Sequence, residues 1–192
     1  MDSTRRIWVI ATGTCACIGG VGSAVPLIEW MEPTEEAKTN AGPVTVDVGQ
    51  LQLGQHLVLL WRGQPIWIVH RTSAMLASLK VTQNQVADPD SRNTDYPTPE
   101  WARNPWRSIR PEYLVFIDIC THLGCAPIAR FIPGAQPGLP DDWPGGFLCP
   151  CHGSRYDMAA RVFKDMPAPA NMMIPPYTFL SDTTILLGEH RG

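Results

Sequence analysis

Four of the six cysteines and two of the five histidines lie in two short stretches, CTHLGC at Cys120–Cys125 and CPCHGS at Cys149–Ser154. Cys120 and His122 are separated by one residue, and Cys149 and His152 by two. Each stretch therefore offers one thiolate and one imidazole on a tight loop. Four chemistries use such groups: a zinc structure, a pair of disulfides, a nucleophile with its base, and an iron–sulfur cluster. Two-Cys, two-His ligation suits zinc or a [2Fe–2S] cluster. Zinc fingers usually pair cysteines in one knuckle and histidines in the other, whereas here each loop carries one of each. A cluster whose two irons differ in ligand type fits that distribution better. Cys120 as a nucleophile is disfavoured, because nothing nearby supplies an orienting acid or an oxyanion hole. A site built from Cys120, His122, Cys149 and His152 leaves Cys125 and Cys151, one in each stretch, and an exported location permits a disulfide.

The elements that must hold these loops read as β-rich. Proline (19) and glycine (16) are abundant, yet 44% of residues are hydrophobic, which favours strands and loops over disorder. Leu57–Trp61 and Pro65–His70 flank RGQP, a hairpin signal. Ser73–Lys80 suggests one short helix. EYLVFIDI, Glu112–Ile119, is an apolar strand running straight into Cys120, and ARVF and TTILLG suggest further short strands. Residues 126–148, between the two stretches, hold five prolines and four glycines and read as a long surface excursion. A net charge of −3 gives no sign of nucleic-acid binding.

The N-terminus carries a separate signal. After Arg5 and Arg6 no charge appears from Ile7 to Ile28, 22 residues. About 20 suffice to cross a bilayer as a helix. The arginine pair places the N-terminus inside, and Trp30 stands where an interfacial aromatic would. STRRIWV also looks like a twin-arginine export signal. Residues 1–30 thus read as an uncleaved signal and anchor; Gly22-Ser23-Ala24 offers a weak cleavage site for the alternative of a removed signal peptide. Residues 31–43 are polar, bounded by prolines, and read as a flexible hinge linker. Residues 44–192 form the head, with a cluster-binding subdomain near 118–160.

At CTHLGC and CPCHGSRYD the chain resembles the Rieske iron–sulfur proteins. The likeness extends through WRGQPIWIVHRT, EYLVFIDICTHLGC, WPGGFLCPCHGSRYD and RVFKDMPAPANMMIPPYTF. Together with the anchor and linker, these are similar to the iron–sulfur subunits of bacterial ubiquinol:cytochrome c oxidoreductases. The resemblance implies a mainly β fold: an antiparallel β-sandwich head with a small cluster-binding subdomain, plus one N-terminal transmembrane helix. It implies Cys120, His122, Cys149 and His152 as ligands of one [2Fe–2S] cluster, and Cys125–Cys151 as a disulfide. Ser154 is implied to bond a bridging sulfide, Tyr156 the sulfur of a ligand cysteine, and Leu123 to shield the cluster at a docking surface. His152 is implied to face ubiquinol. The implied partners are a cytochrome b subunit, which takes the second electron, and a membrane-anchored c-type cytochrome, in a dimeric complex of the inner membrane with the head in the periplasm. Two departures from the family pattern concern turns: Ala160 stands where glycine is common, and Met166 where glycine often opens the proline loop at Pro167–Pro169. The alternatives are the Rieske subunit of another exported oxidoreductase, of arsenite-oxidase type, and a non-redox zinc protein. A soluble Rieske ferredoxin is disfavoured, because that type generally lacks the two extra cysteines.

Overall fold

The computed structural model describes residues 2–32, 34 and 42–190. Most of the expected linker, 31–43, lies outside the described residues. The chain divides into two compact units, Met1–Ala41 and Gly42–Gly192.

Among the described residues the first unit holds one helix, α1, Ser3–Met31, 29 residues long. At about 1.5 Å per residue it is longer than a hydrocarbon core of about 30 Å. It is apolar and long enough to cross a membrane. Its hydroxyls do not seek outside partners: Thr12 donates to Trp8 O, Thr14 to Ile10 O and Ser23 to Gly19 O. These three hydroxyls are thus satisfied within the helix, as a lipid environment demands.

The second unit is built from three antiparallel three-stranded sheets. One joins the two ends of the head: β1 (Val44–Asp47) pairs with β9 (Thr184–Leu187), which pairs with β8 (Tyr177–Phe179). The second is the meander β2 (His56–Trp61), β3 (Gln64–His70) and β4 (Tyr113–Ile117). Its hairpin turns at Arg62 and Gly63, both at positive φ (50° and 73°), the twist a two-residue hairpin needs. A helix, α2 (Ser73–Thr82), follows β3, with Thr72 capping it by accepting from the Met75 amide.

The third sheet, β5 (Ile128–Arg130), β6 (Gly146–Leu148) and β7 (Arg155–Tyr156), carries the sequence motifs. Aromatic rings join it to the meander: Phe147 meets Trp67, Phe116 and Phe131 at centroid distances of 6.0, 4.9 and 5.5 Å. Burying such rings is the largest apolar gain available at that junction. Gly146 is required where β6 crosses β7, because a Cβ there would fall on the Tyr156 carbonyl. The expected strand ARVF is absent as a ladder; Val162 and Phe163 make only single bridges, to Tyr156 and Val86. The backbone there is committed to a turn, since Ala160 adopts φ 58°. The excursion between β5 and β6 is pinned by Trp143, which is buried and donates its indole N–H to Arg130 O.

Candidate metal centre

The two Cys-His stretches fold the same way. In the first, the Cys120 amide donates to Cys125 O and the Gly124 amide to Cys120 O. In the second, the Cys149 amide donates to Ser154 O and the Gly153 amide to Cys149 O. Both loops thus close over five residues, and both need a left-handed residue at the fifth position, Gly124 at φ 83° and Gly153 at φ 74°. β4 leads into the first loop and β6 into the second, so the loops leave the ends of two neighbouring sheets.

Side chains converge between them. Cys120 and Cys149 are buried and free, and their thiols lie close enough to hydrogen bond. Burial pushes the Cys149 thiol up; the amides of Cys151 and His152 pull the other way, and the Cys120 thiol adds to the rise. The rings of His122 and His152 meet edge to face at 4.7 Å. His122 is half-buried and its Nδ1 is enclosed without a hydrogen-bond partner; His152 is exposed. An orphaned imidazole nitrogen on the loop that carries one of two buried free thiols belongs to a donor set that a cationic metal centre satisfies. Cys125 and Cys151 form a disulfide joining the loops. The Cys149 sulfur lies within 4.8 Å of both disulfide sulfurs, which are spent as ligands.

Three further elements fix the loops. Tyr156 is fully buried; its hydroxyl donates to Cys120 Sγ at 3.2 Å and accepts from the Thr121 amide at 3.3 Å. Burial and the bond to Cys120 push the Tyr156 phenol above its ordinary range, so it stays a donor. The Ser154 hydroxyl accepts from the Ala168 amide of the proline loop, and Thr121 Oγ1 donates to Ala170 O. Leu123 projects outward and is 72% exposed.

Beneath Tyr156, the turn 157–161 is held by three buried arginines. Arg161 pairs with Asp157 at 2.7 Å. Arg71 donates to Met158 O, and Arg107 to Ala159 O, Ala160 O and Met172 O. Burial pushes Arg71 and Arg107 down to about 10, which leaves both cationic at neutral pH. The left-handed Ala160 at the glycine-preferring position is tolerated here because its carbonyl and its amide, bonded to Asp157 O, are both fixed. At Met166 the chain does without glycine by placing the left-handed residue one earlier, at Asp165 (φ 57°).

All nine residues singled out from the sequence therefore gather at one end of the head. The remaining histidines do not: His56, His70 and His190 stack on Trp67, Tyr113 and Trp101. Sequence reading passed over Thr121, Tyr96 and the arginines. Their signal was faint: Tyr96, which donates to Thr121 O, lies in a polar loop, and isolated arginines look like solvated charge.

Comparison with known proteins agrees with this geometry. Residues 101–178 match the Rieske [2Fe–2S] domain. The chain is 48% identical, over 98% of its length and 89% of the relative, to the ubiquinol-cytochrome c reductase iron-sulfur subunit of Allochromatium vinosum. It is 40% identical, over 96% of its length and 94% of the relative, to that of Bradyrhizobium diazoefficiens. A chain of a solved hyperthermophilic respiratory Complex III aligns over 92% of this chain and 98% of its own, at 23% identity and a TM-score of 0.45. Identity at that level, carried across both the apolar helix and the head, means that the chain belongs to the ubiquinol-cytochrome c reductase iron-sulfur subunits, Rieske proteins whose cofactor is a [2Fe–2S] cluster.

Proposed function

We propose that Cys120, His122, Cys149 and His152 hold the cluster, and that this chain takes one electron from ubiquinol and passes it to a c-type cytochrome. The observation that carries the reading is that the two loops bring two buried thiols together and two imidazoles together, one half-buried with an enclosed nitrogen and one exposed. When bound, the group supplies a one-electron acceptor. Four thiolates would make its oxidised form a dianion, whereas two thiolates and two neutral imidazoles leave it neutral. Reduction is correspondingly easier, at roughly −150 to +300 mV against about −400 mV for plant-type ferredoxin clusters.

The chain's own residues do the rest. Tyr156 donates to Cys120 Sγ, and Ser154, whose oxygen is already fixed by the Ala168 amide, would donate a hydrogen bond to a sulfur of the cluster. Both bonds strengthen as negative charge accumulates, which favours the reduced state. His152, exposed at the tip of its loop, would take the quinol proton in its imidazolate form, having lost its ring N–H while the centre is oxidised, so electron and proton would leave the substrate together. Leu123 beside it covers the site with apolar surface at the docking face. α1 anchors the chain in the inner membrane, N-terminus in the cytoplasm behind the twin-arginine signal, with the head in the periplasm. Residues 31–43 act as the hinge between donor and acceptor positions. The partners are a cytochrome b subunit and a membrane-bound c-type cytochrome in a dimeric complex.

Purification from membranes tests this directly. Cytochrome b and haem c should co-purify, and the reduced preparation should give a Rieske-type EPR signal. Molybdenum in their place would assign the chain to an arsenite-oxidase-type enzyme, and zinc without iron would end the electron-transfer reading.

A further inference from the structure

We infer that Tyr96 is a positioning residue for the first ligand loop, acting on the peptide between Cys120 and His122; the inference rests on the ligand set proposed above. Tyr96 lies in the long segment between α2 and β4, far in sequence from either motif. Its hydroxyl donates to Thr121 O at 3.2 Å. Thr121 is itself enclosed by the loops around it. Its amide donates to Tyr156, its hydroxyl to Ala170 O, and its carbonyl accepts from Tyr96. The ligand-bearing backbone is thus gripped by two tyrosines, one at each end of a single residue.

The placement of Tyr96 is not that of a stray surface ring. Its amide donates to Asn93 Oδ1, the Asn93 amide donates to Asp88 Oδ2, and Asp88 O accepts from Asn171 Nδ2. Asn171 is buried next to Ala170, the residue that receives the Thr121 hydroxyl. Thr121, Ala170, Asn171, Asp88, Asn93 and Tyr96 therefore close a ring of covalent and hydrogen bonds. Such a ring aims the Tyr96 hydroxyl at the Thr121 carbonyl. A carbonyl that accepts an O–H bond presents less negative potential to its surroundings than a bare one. Here that carbonyl adjoins His122, so the bond favours the reduced state, and it also resists opening of the loop. Tyr156 acts on the sulfur of a ligand; Tyr96 acts one peptide away, through the main chain.

The test compares Tyr96→Phe with wild type in the full-length, cluster-loaded chain. Tyr96→Phe should keep a Rieske EPR signal. The reduction equilibrium should shift toward the oxidised form about threefold, about 30 mV at 59 mV per tenfold. Release of iron to a chelator should be about fivefold faster, the equivalent of one neutral hydrogen bond. Tyr113→Phe, on β4 with its ring stacked on His70, should change neither. A Tyr96→Phe protein with unaltered potential and release rate overturns the inference, as does one that loses only thermal stability, which marks a simple loop anchor. Cys149→Ser separates the underlying reading: loss of the signal upholds the ligand set, and its retention overturns that set whatever Tyr96 does.

Discussion

The two ligand loops share a backbone and differ in what occupies it. Each closes with the same pair of amide-to-carbonyl bonds and the same left-handed glycine. The first spends its second position on Thr121, buried and tied to three other segments, and its half-buried histidine has an enclosed nitrogen. The second presents Pro150, Cys151 and His152 to solvent. One loop is fixed to the protein, and the other offers its imidazole outward. On the proposed ligand set, a shared frame with unequal surroundings would give two chemically similar ligands different tasks: the first would hold and tune, the second would meet the substrate.

The most severe way to break the comparison is to remove a thiol. Cys120→Ser and Cys149→Ser should each abolish the cluster, read as loss of iron and of the EPR signal, because neither loop alone completes the site. Cutting the tie between the loops comes next. Cys125→Ser should lower stability by about 3 kcal/mol, the chain-entropy value for a bridge spanning 26 residues; thermal unfolding of the solubilised chain with and without reductant measures it. The paired hydroxyls sharpen the comparison. Tyr156→Phe removes a donor to a ligand sulfur of the first loop, and Ser154→Ala a donor of the second. Each should lower the potential by on the order of 50 mV, the equivalent of about 1 kcal/mol per charge-assisted bond, and the double variant should approach the sum. Redox titration decides whether the loops contribute equally. The smallest effect tests the shared frame itself. Gly124→Ala and Gly153→Ala meet no steric neighbour within 4 Å, so each should cost only the left-handed backbone penalty of about 1–2 kcal/mol, and the same amount in both loops.

The strands around the site were legible where hydrophobic runs met turn residues. RGQP marked the hairpin turn; EYLVFIDI, expected to run straight into Cys120, forms β4 only over Tyr113–Ile117 and stops three residues short of it. ARVF failed because its apolar pattern is that of a buried turn: Met158, Ala159, Ala160 and Val162 are all enclosed, and burial without pairing looks the same in sequence as a strand. The six Cys and His positions were legible because their residue types are rare and their spacing is tight. Tyr96 and Thr121 were not, because their roles are made by contacts across 25 residues and more of chain that no local pattern encodes. The buried arginines were hidden for the same reason: Arg71 and Arg107 bond mostly to main-chain carbonyls, which every residue has, and Arg161 reaches Gln83 across 78 residues of chain.

The turn at 157–161 bears on how the head comes apart. Among the described residues, Asp157 is the only carboxylate that bonds any of the three buried guanidiniums, and it bonds Arg161. Peeling back that turn takes Met158 O from Arg71 and both Ala159 O and Ala160 O from Arg107, and pulls Arg161 away from Gln83 and Leu79 O, while the first two guanidiniums are still surrounded by protein. Partial opening is therefore more costly than its few residues suggest, and the segment should come undone only with the whole head. In hydrogen exchange, the amides of Ala160 and Arg161 should be among the last to exchange, while Gly124 and Gly153 at the outer tips exchange by local fluctuation. The redox end of the head can then breathe on a base that does not.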